Sequence, residues 1–208
     1  LQHRTRNLIA VVRATARRTL RDTGSLAEFQ ARFDHRLDAL ARVQGLLAGL
    51  QGTERLEIEQ LLRAEFAACS ALDEPGKVRL DGSPGIRLRS STVQIFAMAL
   101  HELTTNAIKY GALSQPTGRL SVAWEVRAPG QDSEAWLSMT WLETGVVMPR
   151  GREPAPGGYG RELIERALPF QLHAETTYEL TEDGVRCTIA APIISRAREK
   201  EARTGPQT

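Results

Sequence analysis

Apolar positions recur at helical spacing over the first fifty residues and alternate by twos after about residue 118. Residues 1–22 read as a helix with Leu1, Leu8, Val11, Val12 and Thr15 on one side. Asp22-Thr23-Gly24 breaks it, and Ser25 with Glu28 three residues on forms a capping box for the next helix. That helix carries Leu26, Phe29, Phe33, Leu37, Leu40, Val43, Leu47 and Leu50 in a near-heptad seam. Two helices joined by so short a turn predict an antiparallel, bundle-forming hairpin. Its apolar surface must be buried against a second hairpin or against the rest of the chain. Residues 49–53 end the segment, which places a domain boundary at 52/53.

The next region mixes the two periods. A helix is predicted over 58–72, closed by Pro75-Gly76. Val78 and Leu80, then Ile86 and Leu88, suggest a short β-hairpin around residues 81–85. A long helix follows over 91–110. Residues 119–126 and 135–142 alternate and read as a second hairpin. A Pro/Gly-rich loop covers 145–160, a helix 161–168, and two strands, 173–180 and 185–191, turn around Asp183-Gly184. The fold class is therefore α+β. A helical hairpin (1–52) precedes a two-layer sandwich (53–195) with helices on one face of a mixed, mostly antiparallel sheet. A charged tail (196–208) ends the chain.

Composition narrows the function classes. The 208 residues are 41% hydrophobic and 25% charged, ordinary for a globular protein, and no apolar run has the length of a membrane span. A net charge of +2 gives no footprint for nucleic acid. Cys69 and Cys187 lie in apolar segments without metal-ligand spacing and read as reduced core residues of a cytoplasmic protein. Leu1 opens inside a functional motif, so a fragment lacking an upstream sensor domain is expected.

The most informative stretch is His101-Glu-Leu-Thr-Thr-Asn-Ala-Ile-Lys-Tyr-Gly-Ala-Leu-Ser114. Glu102, Asn106 and Lys109 fall at i, i+4 and i+7 and share one helical face, opposite Val93, Phe96, Leu100, Leu103 and Ala107. A carboxylate and a carboxamide suit a hard cation, and an ammonium suits phosphate, so the row is fitted to Mg2+ and a triphosphate. The stretch resembles the N box of GHKL (Bergerat-type) ATP-binding domains. More narrowly, it is similar to the HWE family of sensor histidine kinases, named for a His in this box and a later W-x-E. Here those are His101 and Trp141-Leu142-Glu143.

The resemblance implies a wider site. Glu143-Thr144-Gly145 corresponds to the G1 box, where the acid accepts a hydrogen bond from the adenine amino group. Gly157-Gly158-Tyr159-Gly160-Arg161 resembles the G2 box, in which glycines before a helix free N–H groups for phosphate. ATP contacts are implied for Asn106, Lys109, Tyr110, Glu143, Gly145, Gly158, Gly160 and Arg161, and Mg2+ contacts for Asn106 and Glu102. Arg150, Arg152 and Thr188 are further candidates for the nucleotide. Trp124 is expected in the core, and Trp141 either under the base or in the core. Val146 departs from the family, which carries a second glycine there. The F box of ordinary histidine kinases is absent, and so is a Trp common near residues 53–54.

Leu1-Gln-His-Arg-Thr-Arg-Asn7 resembles the family's H box, with Arg6 in place of Lys. It implies that His3 is the phosphoacceptor and that Asn7, one turn on, orients it. Of the remaining histidines, His35 reads as a helix-surface residue and His173 as the start of a strand. Arginines 4, 6, 13, 17, 18 and 21 precede the first acid, Asp22, and suit docking to an acidic pocket. The expected function is an ATP- and Mg2+-dependent histidine kinase core. It would phosphorylate His3, with Glu102 as base or metal holder, and pass the group to the Asp of a response-regulator receiver domain. Monomer and homodimer both fit. The rival is a non-enzymatic phosphotransfer adaptor with a decayed ATP-binding domain. A GHKL serine kinase leaves the H box unexplained.

Overall fold

The structure is a computed structural model, and it describes residues 2–48, 55–72, 74–127, 135–147 and 159–193. Helices α1 (Gln2–Arg21) and α2 (Leu26–Ala48) form the expected hairpin. Its turn is closed by the capping box: the Glu28 N–H donates to Ser25 Oγ at 3.2 Å, and Glu28 Oε2 accepts from the Gly24 N–H at 3.0 Å. Phe29 and Phe33 stack at 5.4 Å.

Beyond the hairpin come β1 (Arg55–Glu57), α3 (Ile58–Ala68), β2 (Val78–Gly82), β3 (Arg87–Arg89) and α4 (Ser90–Lys109). They are followed by β4 (Arg119–Arg127), β5 (Ala135–Thr144), α5 (Tyr159–Glu162), a wide helical turn over Leu163–Ala167, α6 (Leu168–Leu172), β6 (Glu175–Thr181) and β7 (Gly184–Ile193). The main sheet has five strands in the order β2-β4-β5-β7-β6. β2 runs parallel to β4 and the other pairs are antiparallel, which is the mixed sheet expected.

Residues 78–88 do not form the predicted β-hairpin. Val78 pairs with Leu120 on β4, whereas Leu88 pairs with Leu56 on β1 in a separate two-stranded sheet. The chain leaves the main sheet at Ser83, whose N–H donates to the Trp124 carbonyl at 3.1 Å and whose carbonyl accepts from Trp124 Nε1 at 3.0 Å. Local alternation marks strands but not their partners. The helix expected over 161–168 starts earlier and, through the wide turn, reaches Leu172. His173 ends it in the left-handed region (φ +53°) instead of beginning the next strand.

One continuous core joins the layers. Leu120, Val122 and Trp124, then Leu137, Met139 and Trp141, then Cys187, Ile189 and Ala191 point from the sheet to the helices at period two. Leu61, Leu62 and Phe66 of α3 and Val93, Phe96, Leu100 and Leu103 of α4 meet them. Leu40 and Val43 of α2 enter the same cluster, with Leu8, Val11 and Val12 of α1 packed on it. The hairpin thus covers the Leu40–Val43 part of its apolar seam with its own sandwich, while Leu26 at the turn end stays exposed. Leu40 and Val43, the buried large aliphatics of the hairpin, each contribute up to about 1.5–3 kcal/mol of burial to that docking. The 52/53 boundary and the tail over 196–208 lie outside the described residues.

Candidate functional site

Helix α4 sets the site because it is buried on one side only. Val93, Phe96, Leu100, Leu103 and Ala107 are all 1% exposed or less, which fixes the helix's rotation and turns Glu102, Asn106 and Lys109 the other way. These three line a cavity of about 310 Å³ with His35 and Arg36 of α2 and Glu65 of α3. Glu102 is buried and Asn106 half-buried, while Lys109 and Tyr110 are exposed at the helix end. His35 is exposed, as expected.

Glu102 has a partner from the hairpin. Arg36 Nε donates to its Oε1 at 2.6 Å, with side chains 5% and 11% exposed. The same guanidinium donates through Nη1 to Thr19 Oγ1 on α1 at 2.6 Å, and the Thr19 hydroxyl donates to the Thr15 carbonyl at 2.7 Å. A buried polar chain therefore runs across α1, α2 and α4. On its other side the row meets Gly160 of α5, where a Cβ would lie 2.8 Å from Glu102 Cβ and 3.4 Å from Asn106 Nδ2. Arg161 does not join the row: it pairs with Glu165 at 2.8 Å and lies 5.7 Å over the Tyr178 ring. Arg18 of α1 forms an ion pair with Glu162 of α5.

His101 sits beside the row and reaches α3. Its Nδ1 donates to Glu65 Oε1 at 2.7 Å, and Arg42 of α2 reaches Glu65 Oε2 at 3.2 Å. Burial alone would raise the Glu65 carboxyl, but the hydrogen bond and charge of His101, with Arg42 behind them, outweigh it and hold the group below its ordinary value. Three helices are tied together at this one carboxylate.

A second carboxylate closes the far end of α4. Glu143, 2% exposed, accepts from the Ala112 N–H at 2.8 Å through Oε2 and from Trp141 Nε1 at 2.9 Å through Oε1. Burial raises its pKa, and the two donors pull part of the shift back. A Cβ on Gly111 would lie 1.9 Å from Glu143 Oε2, so the carboxylate needs that glycine. Trp141, fully buried, stacks on Phe66 at 5.8 Å and is a core residue with one polar duty. Gly145 adopts φ +70°, which favours glycine, and Val146 is buried with its N–H on the Asp183 carbonyl at 2.8 Å.

Residues 1–84 match the family model for HWE histidine kinase. The chain is 31% identical over 195 residues to a blue-light-activated histidine kinase of Rhizobium johnstonii, covering 92% of this chain and 52% of that protein. A blue-light-activated histidine kinase of Brucella ovis is 28% identical over 193 residues, covering 93% of this chain and 38% of the other. The chain is a relative of the HWE histidine kinases. It spans about half or less of the length of these curated relatives. Its fold is similar to the solved histidine kinase domain of the Erythrobacter litoralis EL346 blue-light activated histidine kinase (TM-score 0.52, 18% identity, 88% of this chain and 95% of that one). A longer solved chain of that kinase gives TM-score 0.57 at 19% identity, covering 89% of this chain and 62% of that one.

In HWE terms, the two hallmark positions are supports. His101 binds α3 through Glu65, and Trp141 binds Glu143. The H-box residues His3 and Asn7 lie on α1, and their side chains fall outside the described residues, as do Gly157, Gly158, Arg150 and Arg152. Thr188 hydrogen-bonds Thr177 at 2.7 Å and alternates onto the sheet face away from the helices. Cys69 and Cys187 are both free, and burial pushes the Cys187 thiol up to about 12. Among the described residues no helix is long and apolar enough to cross a membrane. Sequence reading missed Thr19, Arg36, Arg42 and Glu65. One signal existed: Arg36 occupies a seam position between Phe33 and Leu40, where a charge is out of place.

Proposed function

We propose that the chain is the kinase core of a bacterial two-component system, which phosphorylates its own His3 from Mg2+-ATP and passes the group to a response-regulator Asp. The observation that carries this reading is the α4 row. Glu102, Asn106 and Lys109 line one cavity, and it is faced by α3 and by α2, the second helix of the hairpin that carries the H box.

The donor set fits the cofactor. Mg2+ is ordinarily held by one or two protein oxygens plus the phosphates. Glu102 and Asn106 supply such oxygens, and among the described residues no cluster of three or more His, Cys, Asp or Glu competes as a metal site. MgATP supplies the phosphoryl group when bound. Asn106 and Glu102 would hold the metal, and Lys109 would bring a positive charge to phosphate. Gly160 lets the start of α5 lie directly on the row. Glu143 would meet adenine through a lone pair left over from its two protein donors. Asn7 would orient His3, whose neutral imidazole is the nucleophile. Catalysis then rests on positioning and charge neutralisation. An acidic receiver-domain pocket fits the basic α1, and a homodimer is compatible with this arrangement.

The test is incubation with γ-labelled ATP and Mg2+. Acid-labile, base-stable label on wild type, absent from His3→Ala and reduced at least about 100-fold in Asn106→Ala, is expected. Label retained by His3→Ala removes His3 as acceptor. Failure of the wild type to bind nucleotide moves the reading to the phosphotransfer adaptor.

A further inference from the structure

We propose that Arg36 and Arg18 form a two-point latch by which the hairpin of the same chain holds the nucleotide site shut. The inference rests on the kinase reading of Glu102 and adds its regulation.

Four observations converge on it. First, the carboxylate assigned to metal or base already carries a cation: Arg36 Nε lies 2.6 Å from Glu102 Oε1, with both side chains nearly buried. A guanidinium at that distance neutralises the oxygen that Mg2+ needs, so the two cations compete. Second, the pair is a poor choice for simple docking. Replacing a buried ion pair by apolar residues of similar size is often neutral or stabilising. Arg36 sits on the seam between Phe33 and Leu40, where a Leu would dock the helix without an ion to desolvate. Third, the guanidinium is aimed: Thr19 Oγ1 accepts its Nη1–H at 2.6 Å, and the Thr19 hydroxyl is turned by its own bond to the Thr15 carbonyl. Thr15 and Thr19 are 3% and 0% exposed, so α1 also spends seam positions on this contact.

Fourth, the hairpin grips the other wall as well. Arg18 pairs with Glu162 on α5, the short helix whose Gly160 lies against Glu102 and Asn106. One arginine from each hairpin helix therefore holds α4 and α5 together over the row. MgATP would bind by displacing Arg36 from Glu102 and parting α5 from α4, which loosens the hairpin. Linkage runs both ways: whatever pulls the hairpin away favours nucleotide, and nucleotide frees the hairpin that carries His3.

The experiment measures MgATP affinity by calorimetry, and amide hydrogen exchange without nucleotide, on the 208-residue chain. Wild type is compared with Arg36→Gln, Arg36→Lys and Arg18→Gln. Arg36→Gln should tighten MgATP about tenfold, within the usual range of coupling between sites, and speed exchange over the hairpin. Arg18→Gln should do the same more weakly, and Arg36→Lys should stay near wild type. Equal or weaker binding by a folded Arg36→Gln overturns the latch, as does tighter binding without faster hairpin exchange. If Arg36→Gln does not fold, Arg18→Gln decides by the same criteria. No nucleotide binding by any of the four sinks the kinase reading and the latch with it; equal binding by all sinks the latch alone.

Discussion

Glu102 and Glu143 are both buried carboxylates held by protein donors, yet they are built for opposite purposes. Glu143 accepts from the Trp141 ring two residues back on its own strand and from a backbone N–H just past α4. Neither donor can leave without unfolding the corner. Glu102 is held by a guanidinium at the end of a long side chain, 66 residues away in sequence and on a separate helix. In the proposed latch that partner withdraws while the sandwich stays folded. Neutral donors built into the sandwich itself make a permanent strap, and a charged donor on a separate helix makes a contact suited to exchange. The α4 row is then flanked by one rigid end, at Gly111–Ala112, and by the hairpin face on which the proposed latch acts.

If the strap is rigid, damage to it should appear as lost stability. Gly111→Ala should cost most, about 3 kcal/mol, because the new methyl overlaps Glu143 Oε2 and breaks its bond to Ala112. Urea denaturation measures this directly, and a loss under about 0.5 kcal/mol would show that the corner relaxes at little cost. Glu143→Gln should cost less, about 2 kcal/mol, since the amide can accept from only one of the two donors and sets its NH2 against the other. Its pH dependence has a definite sign. Because the folded pKa is raised, wild-type stabilisation from this acid is complete below the unfolded pKa and declines as pH rises through the folded value. The gap between wild type and Glu143→Gln should therefore narrow from pH 4 upward. A gap that widens with pH would mean that donors outweigh burial at this carboxylate.

The same contrast explains what could be read in advance. The α4 row was legible because its apolar stripe and polar face alternate within one helix, a local signal. The hairpin was legible from Ser25 and Glu28 and from its seam. Strand partners were not: β2 joins β4 and β3 joins β1 through pairings 30 to 42 residues apart, to which alternation is blind. β1, three residues long, is too short to show a period. Gly111 and Ala112 stood in the motif without a reason, because the reason is Glu143, on a strand they meet only in three dimensions. Arg36 was visible only as a charge in a seam, and its partner not at all.

Glu65 offers the sharpest comparison, because it is a third buried carboxylate with the opposite pH sign to Glu143. Its partners are the His101 ring at 2.7 Å and Arg42 at 3.2 Å, and together they hold it below its ordinary pKa despite burial. A depressed folded pKa means that its stabilisation is present above the unfolded pKa and is lost as pH falls through the folded value. Glu65→Gln should cost about 1.5 kcal/mol near neutrality, the smallest of the three effects, since Arg42 is partly exposed and can turn to water. The gap should close as pH is lowered below about 4, where the Glu143→Gln gap is widest. Two single substitutions read on one denaturation series thus give opposite slopes. Parallel slopes would mean that His101 does not donate to an ionised Glu65, and that the hallmark histidine binds α3 in some other way.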